Sequence, residues 1–139
     1  MKSPFTIIDH PADIGIEARG MTLTEAFENV ANGLMSIIVE RATVAEKKEE
    51  YIQVHAADRE QLLVRWLNEI LYMFDGQHFV PKTFSITEIS DTFLKAKILG
   101  DHFSPSTHRT KLDVKAITYH QLSIKNEADG LVVTVFVDI

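Results

Sequence analysis

The stretch "DHPADIG", Asp9 to Gly15, sets two carboxylates and a histidine around a proline. Pro11 holds φ near about −65° and confines His10 to extended backbone, so this turn aims its side chains reproducibly. Its plainest use is an Asx-type turn, in which an Asp caps nearby backbone N–H groups. A second acidic feature lies at the other end of the sequence. "LVVTVFVDI" is the most strand-like run, and the sequence stops within it, at Asp138 and Ile139. If that strand is central, the α-carboxylate of Ile139 is held beside the carboxylate of Asp138. Adjacent anions repel unless something compensates them. A hard divalent cation such as Ca²⁺, Mg²⁺ or Mn²⁺ does so through oxygen ligands. A third carboxylate from a different loop, either Asp13 or Asp9, would strengthen such a site. The plain alternative is a solvated terminus near Lys or Arg.

A third stretch, "VKAITYH", runs from Val114 to His120. As an ordinary strand it packs Tyr119 and leaves Lys115 and His120 on the surface. In a functional arrangement Lys115 and His120 line the rim of the metal site. Other catalytic signatures are missing: there is no phosphate-cradling glycine loop, GxSxG, HExxH or EF-hand loop. The six histidines are scattered, and there is no cysteine to act as nucleophile or thiolate ligand. A metal-dependent phosphoester hydrolase would need Asp13 and Asp138 on the metal, with His10 or His120 as general base. No recognised catalytic motif accompanies those carboxylates. A binding module or chaperone-like adaptor without a functional metal site is the other alternative.

The elements that must position these residues follow from periodicity. "FTIID" reads as a strand, and "DIGIEARG" alternates, with Ile14, Ile16 and Ala18 on one face. Leu23, Ala26, Phe27, Val30, Leu34, Ile37 and Ile38 recur at helical spacing, behind a capping box of Thr22 and Glu25. Gly33 inside that helix suits close packing. "AEKKEE", Ala45 to Glu50, is a charge run with no apolar face and reads as a solvated loop. "YIQVHA" then alternates as a strand. Asp58 and Gln61 open a second helix with a wide apolar stripe that includes Trp66, and Gly76 is placed to end it at C′. Trp66 reads as a core anchor. The remainder is β-rich: "TFSITEI", "TFLKAKILG", "LDVKAI", "YHQLSIK" and "LVVTVFVDI" read as strands, and Asp129-Gly130 marks a hairpin. "GDHFSPSTHRT", Gly100 to Thr110, is the longest polar loop. The fold class expected is α+β, with two amphipathic helices on a mostly antiparallel sheet system, in one domain spanning residues 1–139.

Composition narrows the function classes. A chain of 139 residues that is 45% hydrophobic can build one core. The absence of cysteine rules out a disulfide scaffold and fits a reducing compartment. No signal peptide and no membrane-length apolar run of about 18 residues is present, so a cytoplasmic protein without membrane contact is expected. The formal charge of −6 makes a poor non-specific nucleic-acid binder. Any RNA is therefore expected mainly through a partner. "HRTK", His108 to Lys111, is locally basic, but four residues do not make a nucleic-acid patch.

Taken in order, "DHPADIG", "LTEAF", "LLVRWLNEILYMFD", "VKAITYH" and the terminal "VDI" resemble the archease family over nearly the whole chain. That resemblance implies an accessory protein, not itself an enzyme, of the RtcB-type RNA ligase, which joins RNA ends in tRNA splicing and RNA repair. The ligase uses GTP and a divalent metal to form a guanylylated histidine, and the accessory protein promotes guanylylation and multiple turnover. The resemblance also implies a metal site on Asp13, Asp138 and Ile139, the last through a main-chain oxygen, and so selects Asp13 over Asp9. Pro11 stands where the family usually has threonine. The change removes a backbone N–H and a hydroxyl, but no metal ligand.

Overall fold

The computed structural model describes residues 3–9 and 13–139. The first pair of strands is β1 (Phe5–Asp9) and β2 (Asp13–Gly20), followed by the helix α1 (Leu23–Ile38) and a 3₁₀ turn, Arg41–Thr43. Then come β3 (Lys48–His55), the helix α2 (Arg59–Asp75), β4 (Phe79–Ile89), β5 (Phe93–His102), β6 (Ala116–Glu127) and β7 (Gly130–Asp138). The strands form two sheets, β1-β2-β7-β6 and β3-β5-β4, and each pairing is antiparallel. The expected α+β class is what forms.

Each helix packs against strands of both sheets: α1 on β1, β2, β7 and β4, and α2 on β6, β3, β4 and β5. A helix placed so needs apolar side chains over most of its circumference, and α1 buries Phe27, Val30, Leu34, Met35, Ile37 and Ile38 among others. The caps expected from sequence start both helices. Thr22 accepts a hydrogen bond from the Glu25 N–H at 3.2 Å, and Asp58 from the Gln61 N–H at 2.8 Å. Gln61 answers by accepting from the Ala57 N–H at 2.7 Å. Trp66 is fully buried, donates its indole N–H to the Phe27 carbonyl at 3.0 Å, and meets Phe84 edge-on. It ties α2 to α1 and to the second sheet at once. At Gly33 a Cβ would lie 2.6 Å from Ile16 Cγ2, so the glycine lets α1 approach β2 closely.

The sheet that carries the acidic residues is specified by alternation. On its inner face Ile14, Ile16 and Ala18 of β2 stand opposite Val137, Val135 and Val133 of β7, all buried. β7 lies between β2 and β6, so the strand at the end of the sequence is internal, as its composition requires. The Asp129-Gly130 hairpin forms as expected, with Glu127 paired to Gly130. Gly130 has φ of 136°, and a Cβ there would fall 2.4 Å from the Gly20 carbonyl oxygen.

Four sequence expectations change. The charge run Ala45 to Glu50 is a loop only in its first half, because β3 begins at Lys48 and pairs Lys48, Glu49 and Glu50 with Gly100, Leu99 and Ile98. β3 is an edge strand, where charged side chains protect the open side and erase the apolar pattern. The proposed strands "LDVKAI" and "YHQLSIK" are one strand, β6, beginning at Ala116 and interrupted by a register shift between Thr118 and Ser123. β5 continues to His102, so the polar loop is shorter than Gly100 to Thr110 at its start. Gly76 ends α2 as its C-cap with right-handed backbone, φ −96° and ψ −35°, and the positive φ of 56° falls on His78 instead. A Cβ at Gly76 would strike the Tyr72 ring at 2.4 Å, which explains the glycine by contact.

Two stability measurements check this account. Trp66→Ala removes a buried anchor shared by three elements, and its unfolding free energy in urea is expected to fall by about 3–5 kcal/mol. Asp75, the last residue of α2, places a negative charge at the negative end of the helix dipole. Partial burial, then the nearby Asp113, raise its pKa above the ordinary carboxylate value. A carboxyl whose pKa is raised on folding favours the folded state while protonated and loses that contribution as pH rises through the shifted pKa. Asp75→Asn is therefore expected to raise the melting temperature at neutral pH and to leave it unchanged at pH values below the ordinary carboxylate pKa.

Candidate metal centre

Both acidic residues singled out in the sequence lie at one end of the first sheet. Asp13 opens β2, Asp138 closes β7, and the two are direct partners in the antiparallel register. Side chains directly opposed on one face have Cβ atoms about 4.5–5.5 Å apart, and like charges so placed repel. Asp13 is half-buried, whereas Asp138 is exposed. On the other side of β7, Ala116 pairs with Asp138 and brings only a methyl group. The Lys115 N–H donates to the Asp138 carbonyl at 2.8 Å, which fixes the end of β7 to the start of β6. Ile139 follows the strand and is 38% exposed.

Alternation assigns the surrounding residues to faces. Asp13, Gly15, Glu17 and Arg19 share the outer face of β2 with Asp138, Phe136, Thr134 and Val132 of β7. A Cβ on Gly15 would meet Phe136 Cε2 at 2.7 Å, so this glycine is where the Phe136 ring lies down. Phe136 is only 4% exposed although it sits on the outward face. The β6 bulge covers it: the step from Thr118 to Ser123 faces the much shorter step from Phe136 to Thr134. The spare residues fold over the sheet and place the His120 ring 6.4 Å from that of Phe136, at 65°. Gln121 takes φ of 54° to make this turn, and the His120 N–H donates to Thr118 Oγ1 at 3.2 Å.

The arrangement thus brings Asp13, Asp138 and Ile139 to one edge, with Lys115 beside it through the backbone and His120 further along the same face. Asp9 stands across from Ile14 in the β1–β2 register, one position away from Asp13. His10 and Pro11 lie outside the described residues. Among the described residues no group of three or more His, Cys, Asp and Glu side chains is close enough to hold a metal ion. The side-chain donors here, among the described residues, are two carboxylates, to which a main-chain oxygen and water can add around a cation. That donor set is all oxygen and fits a hard ion such as Mg²⁺, Ca²⁺ or Mn²⁺ rather than a soft one.

Sequence reasoning missed one polar centre. His108 is the buried polar residue in the described core, with Nδ1 accepting the Ser104 N–H at 3.0 Å and its ring stacked on Phe103. Its Nε2 has no hydrogen-bond partner among the described residues and lies 3.8 Å from Asp101 Oδ2. It anchors the loop between β5 and β6. Nothing in "SPSTHRT" separates it from an exposed loop histidine.

Comparisons with known proteins agree with this architecture. The model of the Archease protein family (MTH1598/TM1083) matches residues 5–139. Protein archease of Sulfurisphaera tokodaii is 33% identical over 136 residues, covering 97% of this chain and 98% of the relative. Protein archease of Pyrococcus furiosus is 42% identical over 125 residues, 88% of each chain. The solution structure of Methanobacterium thermoautotrophicum protein 1598 superposes with a TM-score of 0.83 at 29% identity, covering 98% of this chain and 99% of that one. The crystal structure of the Thermotoga maritima protein TM1083, described as an archease and possible chaperone, has the same fold, with a TM-score of 0.70 at 21% identity. It covers 100% of this chain and 98% of its own. No helix among the described residues is long and apolar enough to cross a membrane.

The repulsion between facing carboxylates gives a direct test. In chelator, Asp138→Asn removes one of two opposed charges and is expected to hold or raise stability, by up to about 1 kcal/mol. Chemical denaturation of both proteins reads this out; a loss in the variant would show that the Asp138 charge is already compensated within the protein.

Proposed function

Because the chain belongs to the archease family, we propose that it is a cytoplasmic accessory protein that activates an RtcB-type RNA ligase in tRNA splicing and RNA repair. It promotes guanylylation of the ligase and its multiple turnover, and is not itself an enzyme. RNA is reached chiefly through the ligase. The observation that carries this reading is the register pairing of Asp13 with Asp138 at one edge of the sheet, in a chain of this family.

In this reading Asp13, Asp138 and a main-chain oxygen of Ile139 hold a divalent cation, Ca²⁺, Mg²⁺ or Mn²⁺. A bound cation supplies positive charge that neutralises the facing carboxylates and a Lewis-acidic centre for phosphate oxygens. The protein's own part is positional. The β2–β7 ladder sets the two carboxylates at a fixed separation, the bond from Lys115 to the Asp138 carbonyl holds the edge, and the His120 bulge walls one side. Lys115 and His120, both exposed, form the rim that meets the ligase.

The deciding experiment is guanylylation of the ligase with wild-type, Asp13→Ala and Asp138→Ala proteins, each checked for folding by circular dichroism. Stimulation is expected to fall to the level of ligase alone in both variants. Millimolar Ca²⁺, Mg²⁺ or Mn²⁺ is expected to raise the melting temperature of the wild type and of neither variant. Full stimulation by both variants would overturn the role of the site. Full stimulation together with no metal effect would identify an adaptor that needs no cation.

A further inference from the structure

The locally basic segment His108 to Lys111 gains company in the folded protein. Around the C-terminal end of α1, four cations come together from three parts of the chain. Arg41, in the 3₁₀ turn, donates from Nη2 to the Lys82 carbonyl, and Lys82 Nζ donates to the Arg41 carbonyl at 2.7 Å. The Glu40 N–H donates to the Arg109 carbonyl at 2.8 Å, and the Arg109 N–H donates to Thr43 Oγ1 at 3.3 Å. Lys111 donates its N–H to Ile38 at 2.8 Å and its Nζ to Ser36 at 2.9 Å, covering the last carbonyls of a helix that has no basic residue in its own final turn.

None of these four cations forms an ion pair with a carboxylate among the described residues. The side chains of Arg41, Lys82 and Lys111 bond to carbonyls, Arg109 is exposed, and Arg41 Nε is buried with no hydrogen-bond partner among the described residues. Burial lowers the Arg41 pKa from the usual arginine value. Three acids border the patch: Glu40 and Asp113, which are exposed, and Glu46, which accepts from Thr83 Oγ1 at 3.0 Å. Cations still outnumber anions there, in a chain whose formal net charge is −6. Charge held only by carbonyl dipoles keeps its field toward solvent.

The chemistry of the patch selects its partner. Protein interfaces favour aromatic residues, methionine and arginine and are poor in lysine. This region offers two lysines, and its exposed large apolar side chain is Leu112. Lys and Arg are instead the usual donors to phosphodiester oxygens, and Thr110 adds a hydroxyl between Arg109 and Lys111, whereas the Thr43 and Thr83 hydroxyls donate to the Glu40 carbonyl and to Glu46. The exposed tyrosines, Tyr51, Tyr72 and Tyr119, belong to other segments, so among the described residues no tyrosine of this patch is placed to stack on bases. We propose that Arg41, Lys82, Arg109 and Lys111 form a sequence-independent contact for a nucleic-acid phosphodiester backbone. The segment carrying Arg109 and Lys111 continues to Lys115 and its bond to Asp138, so a strand laid along it leads to the Asp13–Asp138 edge. The contact does not depend on the metal site or on the ligase reading.

Fluorescence anisotropy with a labelled oligouridylate, titrated from about 50 to 200 mM salt, tests it. At about 0.7 per neutralised phosphate, four contacts give a log–log salt slope of about −3 for the wild type. Arg109→Gln/Lys111→Gln is expected to weaken binding about tenfold at the lowest salt and to flatten the slope by about 1.4. Arg109→Lys/Lys111→Arg keeps both charges and is expected to retain the affinity. A labelled oligothymidylate is expected to bind within about threefold of oligouridylate, since phosphates alone are read. Absence of wild-type binding at the lowest salt would overturn the proposal. So would an unchanged slope in the glutamine variant, or equal loss in the charge-conserving one. Tighter binding of a polyglutamate peptide than of oligouridylate would overturn it in favour of an acidic protein partner.

Discussion

The antiparallel ladder between β2 and β7 is the constraint on which the rest of the first sheet depends. Ile14, Ile16 and Ala18 pair with Val137, Val135 and Val133 on the face toward the helices. Side chains in a strand alternate with a period of two, so a slip of one residue would move all of these into water and bring polar residues inward. Each fully buried aliphatic side chain contributes about 1.5–3 kcal/mol, so the correct register is strongly preferred over its neighbours. That same register sets Asp13 against Asp138. Two facing carboxylates are unfavourable by themselves, by up to about 1 kcal/mol. The apolar face outweighs this easily, so the register is kept although it sets two carboxylates opposite each other.

The outer face is shaped by a second compromise. Gly15 leaves room for the Phe136 ring, and the β6 bulge closes over it with His120. A bulge bends the strand and re-aims side chains at the cost of ladder hydrogen bonds. Here it turns an otherwise flat face next to Asp138 into a walled edge. The loop from β5 to β6 then connects two regions of opposite charge. Its buried His108 anchors the start, Arg109 and Lys111 lie against the end of α1, and Lys115 is bonded to the end of β7. Cations and carboxylates are thereby presented along one continuous segment of an acidic chain.

Much of this was legible in the order of residues. The caps at Thr22 and Asp58, the alternation in β2, the strand-like run of β7, the apolar stripes of both helices and the Asp129-Gly130 hairpin all act over a few residues, and each formed where its pattern stood. The misreadings have physical causes. Lys48 to Glu50 belong to an edge strand whose charges guard an open side, which conceals its β character. The break inside β6 arises from pairing with β7, and no local signal marks it. Gly76 serves close contact with Tyr72 instead of left-handed backbone. The burial of His108 depends on Phe103 and Asp101 meeting it in space.

For the candidate site, the sequence by itself supplied carboxylate oxygens and no thiolate, left Asp9 and Asp13 as alternatives, and singled out Asp13 only through the family resemblance. It also determined that β2 has one apolar face and that β7 is apolar nearly throughout. Tertiary structure alone decided that Asp13 and Asp138, from opposite ends of the sequence, are direct partners. It likewise decided that Arg41 and Lys82 join Arg109 and Lys111. Backbone preference and capping reach only a few residues along the chain. Which strands lie side by side, and in what register, is set by burying whole faces at once, and that choice exists only in the assembled fold.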